Sequence, residues 1–133
     1  MIPTLNEDGY LPPGINRSPL DEVAARFGHE SELRQAQMAS LCWLVDLARR
    51  AGVERIVVNG SFVTDKLEPN DVDCFLLIGP SFPRDSAAEM ELLAGLPFIN
   101  LKLVDEPAFE QFTEKTFATD RNLVPTGMVE VSP

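Results

Sequence analysis

Apolar positions along the chain follow two different periods, punctuated by glycine and proline. Leu33, Leu41, Leu44, Val45 and Ala48 recur at the 3.6-residue spacing of one helix face. That spacing predicts the longest helix from Ser31, its N-cap, to about Arg50, with Gly52 closing it. A shorter helix precedes it, opened by Ser18 as N-cap and Pro19 at the first helical position, with Asp21 and Glu22 in its first turn and Gly28 at its end. The β-branched run Arg55 to Val58 predicts a strand that breaks at Asn59-Gly60. Val72 to Ile78 is apolar nearly throughout, the pattern of a strand covered on both faces, and Gly79-Pro80 ends it. Asp85 to Ala94 predicts a helix with Met90 and Leu93 turned inward. Phe98 to Val104 predicts a third strand, Pro107 to about Lys115 a last helix, and residues 126–132 an added edge strand.

This order of elements implies an α/β (α+β) domain, a small mixed sheet flanked by helices. Residues 1–17 stand apart. Pro3, Gly9, Pro12, Pro13 and Gly14 forbid a helix there, while Ile2, Leu5, Tyr10, Leu11 and Ile15 are too apolar for a disordered tail. The pattern predicts an ordered, proline-rich arm lying along the body or against a partner, followed by a single domain over 18–133.

Composition narrows the partners. Of 133 residues 44% are apolar and 24% charged, an ordinary balance for a globular chain able to bury one core. No apolar run approaches the ~18 residues of a membrane span, and no basic-then-apolar leader opens the sequence. Cys42 and Cys74 lack metal-ligand spacing, so the expected location is the cytoplasm. Eleven basic residues against twenty-one acidic give a net charge of −10. Arg49-Arg50 is the one basic pair, at a helix C-terminus where the dipole favours it. A chain so acidic is ill suited to grip a nucleic-acid backbone, and a polyanionic ligand would need a metal ion to bring it in.

Candidate chemistry gathers between the first two strands. Gly60-Ser61 lies where a strand ends, and free backbone N–H groups at such a turn attract phosphate oxygens. Nine residues further on, Asp71-Val72-Asp73 enters the next strand. Residues i and i+2 of a strand share a face about 7 Å apart, which lets two carboxylates flank a pair of Mg²⁺ ions. An acid inside Val-Asp-Cys-Phe-Leu-Leu-Ile is expensive to bury without a cation or polar partner.

The run Val58-Asn59-Gly60-Ser61, nine residues, then Asp71-Val72-Asp73-Cys74 resembles the Gly-Ser … Asp-x-Asp signature of the DNA polymerase β-like nucleotidyltransferase superfamily. Among its members the chain is most similar to the minimal nucleotidyltransferases, bacterial and archaeal proteins of about this length; the resemblance covers roughly residues 41–105. It implies that Gly60 and Ser61 bind the triphosphate and that Asp71 and Asp73 are the catalytic, Mg²⁺-binding pair of a two-metal site. In that family a third carboxylate stands on the neighbouring strand. Here the corresponding face, by alternation, carries Phe98, Asn100, Lys102 and Val104, while Asp105 falls on the other side. Asn100 is therefore the candidate third metal ligand, through its carbonyl. Lys102 and Lys66 are candidate phosphate contacts, and Lys102 could equally take the place of the cation beside the aspartates.

Each of these residues also has a plainer role. Gly60-Ser61 suits any tight turn, and Asp71 after Pro69-Asn70 suits ordinary turn chemistry. His29 fits a surface or capping position, Trp43 the core or an interface, and Lys66 a solvated loop; nothing in the sequence places Lys115 or Arg121. Three functional classes follow. The resemblance implies an enzyme that transfers a nucleoside monophosphate from an NTP to a hydroxyl or phosphate, with a protein acceptor, antitoxin-like, better suited to this acidic chain than a nucleic acid. A catalytically inactive nucleotide- or partner-binding module is the alternative that the absent third acid favours. A dimerising role, with the apolar arm as contact surface, is the third.

Overall fold

The computed structural model describes residues 2–111 and 127–132. Five strands form one mixed sheet: β1 (Gly14–Pro19), β2 (Arg55–Asn59), β3 (Val72–Leu77), β4 (Ile99–Val104) and β5 (Gly127–Ser132), in the order β1-β5-β2-β3-β4. The outer pairs β1–β5 and β3–β4 are parallel, and the inner pairs β5–β2 and β2–β3 antiparallel. This is the mixed sheet flanked by helices that the order of elements implies.

Helices α1 (Leu20–Phe27), α2 (Glu32–Ala51) and α3 (Ser86–Ala94) accompany one face of the sheet, where Ile56, Val58, Val72, Cys74, Leu76, Val129 and Val131 join Leu41, Leu44, Val45 and Ala48 in the main core. On the other face Val57, Phe75, Leu77, Val104 and Met128 pack with Phe109 of the short helix α4 (Glu106–Gln111). The Phe75 and Phe109 rings lie 5.5 Å apart, within the range of a favourable aromatic pair. Alternation along β3 thus divides it between two cores, with Val72, Cys74 and Leu76 facing one and Phe75 and Leu77 the other. Of the two cysteines, Cys74 is buried, and desolvation pushes its thiol well above the usual range.

Helix α2 begins as its cap predicts: Ser31 Oγ accepts from the Arg34 N–H at 3.0 Å, a contact worth about 1 kcal/mol. Gly52, at φ 86°, ends it in the left-handed conformation that a glycine adopts without Cβ strain. His29 is exposed, as a surface or capping residue would be, and its carbonyl accepts from Gln35 Nε2.

Several expectations are corrected. Ser18 lies in β1 instead of capping a helix: α1 starts at Leu20 behind Pro19, and the Ser18 hydroxyl donates to Glu22 Oε2. The boundary drawn between residues 17 and 18 therefore falls inside a strand, and the end of the arm belongs to the sheet. The rest of the arm lies along the body, with Ile2 and Leu11 buried and Arg26 donating to the carbonyls of Ile2 and Pro3. The C-terminal strand is not an edge; β5 sits between β1 and β2 because the arm supplies an outer strand. On α3 it is Ala88 and Leu92 that are buried, while Met90 and Leu93 are 71% and 65% exposed. The Asp85 carboxylate caps this helix by accepting from the Ala87 and Ala88 N–H groups. Leu33 is only partly buried and Trp43 is 46% exposed, because the buried stripe of α2 runs through Arg34, Gln37 and Met38 instead. The end of the predicted last helix at about Lys115, and Arg121 beyond it, lie outside the described residues. No described helix is long and apolar enough to cross a membrane.

Candidate functional site

Strand β2 ends at the buried Asn59, and the chain turns through Gly60 into a single 3-10 turn, Gly60–Val63. Phe62 and Val63 anchor the turn in the core, with Phe62 against Phe27 at 6.3 Å, so Gly60 and Ser61 are left towards the surface. The turn is closed by Thr64, whose hydroxyl donates to the Ser61 carbonyl at 2.6 Å.

Register brings the other residues alongside. Asn59 pairs with Asp73 across the antiparallel ladder, and Asp73 pairs with Asn100 across the parallel one. Asp73 therefore stands on the α4 side of the sheet, at its open end. Gly60 has φ 75°, and a Cβ built there would lie 2.2 Å from Asp73 Oδ2. The carboxylate leans over the Gly-Ser turn in space that any side chain at position 60 would fill. Its other oxygen, Oδ1, accepts from Asn100 Nδ2 at 3.0 Å.

Asp73 is half-buried, and desolvation holds its carboxyl above the ordinary aspartate range. The Asn100 hydrogen bond works against that rise, the Asp71 charge adds to it, and the Lys102 charge offsets it. Asp71, immediately before β3, and Lys102, two residues beyond Asn100 on β4, are both exposed. Gly60, Ser61, Asp71, Asp73 and Asn100 thus gather at one end of the β2–β3–β4 ladder, with Lys102 further along β4 opposite Phe75. Lys66 does not share that arrangement: its carbonyl is held by Arg34 of α2, on the opposite side of the sheet, and its side chain is exposed. Asp105 caps α4 by accepting from the Ala108 N–H, the role that its place after the strand suits.

A residue that the sequence reading passed over holds the turn in place. Arg34 is 2% exposed and uses all five of its N–H groups on main-chain carbonyls: Phe27, Phe62 and Thr64 each receive one and Lys66 receives two. Its guanidinium also stacks 5.3 Å from the Phe62 ring centroid. Ser31 Oγ donates to the Leu67 carbonyl and Gln37 Nε2 to that of Pro69, so α2 clamps the whole segment leading to Asp71. The signal was present: continuing the spacing of Leu41, Leu44 and Val45 back along α2 reaches Gln37, Met38 and Arg34.

The donor set can be tested against a cation. Asp71 and Asp73 offer hard carboxylate oxygens, and the incompletely compensated burial of Asp73 is what a cation would relieve. Among the described residues no group of three His, Cys, Asp or Glu is placed to hold a metal. Asn100, as oriented, turns an N–H towards Asp73 and not its carbonyl. Asp71 and Asp73 are therefore the two carboxylates here that could hold a hard cation such as Mg²⁺, an ion that usually keeps several of its waters.

No curated protein and no solved structure matches the chain. A family model does, over residues 3–132, which takes in the arm, all five strands and the Gly60–Asp73 turn. The chain accordingly belongs to the family of unknown function DUF6932.

Proposed function

We propose that this chain binds a nucleoside triphosphate together with Mg²⁺ at the Gly60–Asp73 turn and transfers the nucleoside monophosphate to a hydroxyl acceptor. The observation that carries the reading is the apposition of the Asp73 carboxylate and the side-chain-free backbone of Gly60, with Asn100 holding the second oxygen. The resemblance of Gly60-Ser61 and Asp71-Val72-Asp73 to the polymerase β-like signature points the same way. Gly60 and Ser61 present main-chain N–H groups to phosphate, Asp71 and Asp73 are the ligands for Mg²⁺, and Lys102 supplies a positive charge beside them. Mg²⁺, when bound, neutralises charge on the phosphate oxygens.

In the transfer the acceptor oxygen bonds to the α-phosphorus, the bond to the bridging oxygen of pyrophosphate breaks, and the hydroxyl proton passes to solvent. Such transition states are loose, so positioning and electrostatics supply most of the acceleration. Asn100 cannot remove that proton as a carboxylate would, and a slow enzyme is expected. The net charge of −10 favours an acceptor on a protein over one on a nucleic acid.

A second reading, a nucleotide-binding module without turnover, is favoured by Asn100 itself, an amide donor where the resembling family has a third acid. Calorimetric titration with each NTP, with and without Mg²⁺, tests the shared part of both readings. Metal-dependent binding that disappears in Asp71→Asn/Asp73→Asn is the expected result, and no binding to any NTP overturns both. Incubation of α-labelled NTP with protein acceptors then separates enzyme from module.

A further inference from the structure

Phe98 is, among the described residues, the one non-glycine residue with a positive φ, 64°. Left-handed backbone crowds the Cβ of any L-residue and suits a bulky one least. Gly95, in the same connection between α3 and β4, meets a similar demand at φ 94° with a glycine. Position 98 carries a phenyl ring instead, and that ring is not sequestered: Phe98 is 39% exposed. Strain at an exposed aromatic next to a candidate site is an observation that asks for a role.

The location supplies one. The Phe98 carbonyl accepts the N–H of Val72 at 2.7 Å, and Val72 separates Asp71 from Asp73. This bond ties Phe98 to the backbone that carries both carboxylates. Asn100, which holds Asp73 Oδ1, is two residues further along the chain. Among the described residues, strand β4 is also the last strand of the sheet, and no further strand pairs with its outer side. An exposed aromatic residue whose main chain is bonded to the strand that carries both carboxylates offers what a nucleobase needs and the carboxylates cannot give, a flat apolar face.

We infer that Phe98 is the stacking platform for the base of the bound nucleoside triphosphate, an assignment that rests on the reading above. Stacking on a phenyl ring tolerates any base, so Phe98 contributes affinity with little discrimination between nucleotides.

The test compares two probes, an NTP and inorganic tripolyphosphate, each titrated with Mg²⁺ into wild type, Phe98→Asn and Phe98→Tyr. Asparagine tolerates the left-handed backbone but removes the ring. Phe98→Asn is expected to bind the NTP about tenfold or more weakly while binding tripolyphosphate as wild type does, and Phe98→Tyr to keep NTP affinity. Unchanged tripolyphosphate binding also certifies that the variant is folded. Wild-type NTP affinity in Phe98→Asn overturns the platform and leaves the phosphate site standing. An equal loss of both probes makes Phe98 a residue of the fold only, which also overturns it. Failure of wild type to bind either probe removes the site itself and the platform with it.

Discussion

Asp73 Oδ2 occupies the position that a side chain on Gly60 would take, 2.2 Å from where its Cβ would be. Two independent constraints therefore meet at residue 60, since its φ of 75° already disfavours any residue with a Cβ. Gly60→Ala should lose about 1–2 kcal/mol of stability from the backbone alone. It should also displace the carboxylate, so that Mg²⁺-dependent NTP binding falls further than the stability loss explains. Urea unfolding combined with calorimetry on the same variant measures both effects.

Asp73 makes the site costly to the fold. Its carboxyl titrates higher in the folded chain than in the unfolded one, chiefly because of burial. The folded state thus holds the proton more tightly, and stability falls as pH rises from the unfolded value, about 3.9, through the raised folded value. Above that window the full penalty is present; below it the penalty is gone. Asp73→Asn keeps an oxygen to accept from Asn100 and carries no charge, so it should melt higher than wild type near pH 7. The advantage should shrink as pH approaches 4. Thermal melts across pH 4–8 give the comparison, and a variant less stable than wild type at pH 7 would count against burial as the dominant cause.

Asn100 offers the converse change. Asn100→Asp removes the N–H that Asp73 accepts and places a third carboxylate beside Asp71 and Asp73. Without metal the variant should be less stable than wild type at neutral pH. With millimolar Mg²⁺ it should recover, because the added acid completes a better cation site. The measurement is the Mg²⁺ dependence of the melting temperature in the two proteins, with turnover of labelled NTP as a companion assay in which Asn100→Asp should be the faster.

Arg34 is expected to be the least replaceable residue of the long helix. Its five donors serve four carbonyls from Phe27 to Lys66, and lysine, with one compact ammonium, cannot span them. Arg34→Met or Arg34→Lys should cost more than about 3 kcal/mol in urea unfolding, since buried carbonyls lose their partners together. Amide exchange should quicken first between Phe62 and Pro69, the segment that α2 clamps.

Local rules carried much of this protein. Ser31 and Gly52 fixed the long helix because a cap and a left-handed glycine act within a few residues of the chain. Alternation alone put Asn100 on one face of β4 and Asp105 on the other, and the structure joins Asn100 to Asp73 across the ladder. Where the sequence misled, the deciding contacts were distant in it. Met90 and Leu93 look as suitable for burial as Leu92, and only the packing of α3 against α2 through Ala88 and Leu92 turns them to solvent. Ser18 has the character of a helix cap, yet its main chain belongs to a parallel ladder with Val131, a strand more than a hundred residues away. Arg34 and Gln37 read as polar helix surface until the loop before Asp71 folds over them and supplies carbonyls to their donors. Sequence determined which residues are chemically able to form the site, because composition and period are local properties. Only the tertiary structure decided that Asp73 rests against Gly60 and Asn100, because strand order and register are set by burying both faces of the sheet at once.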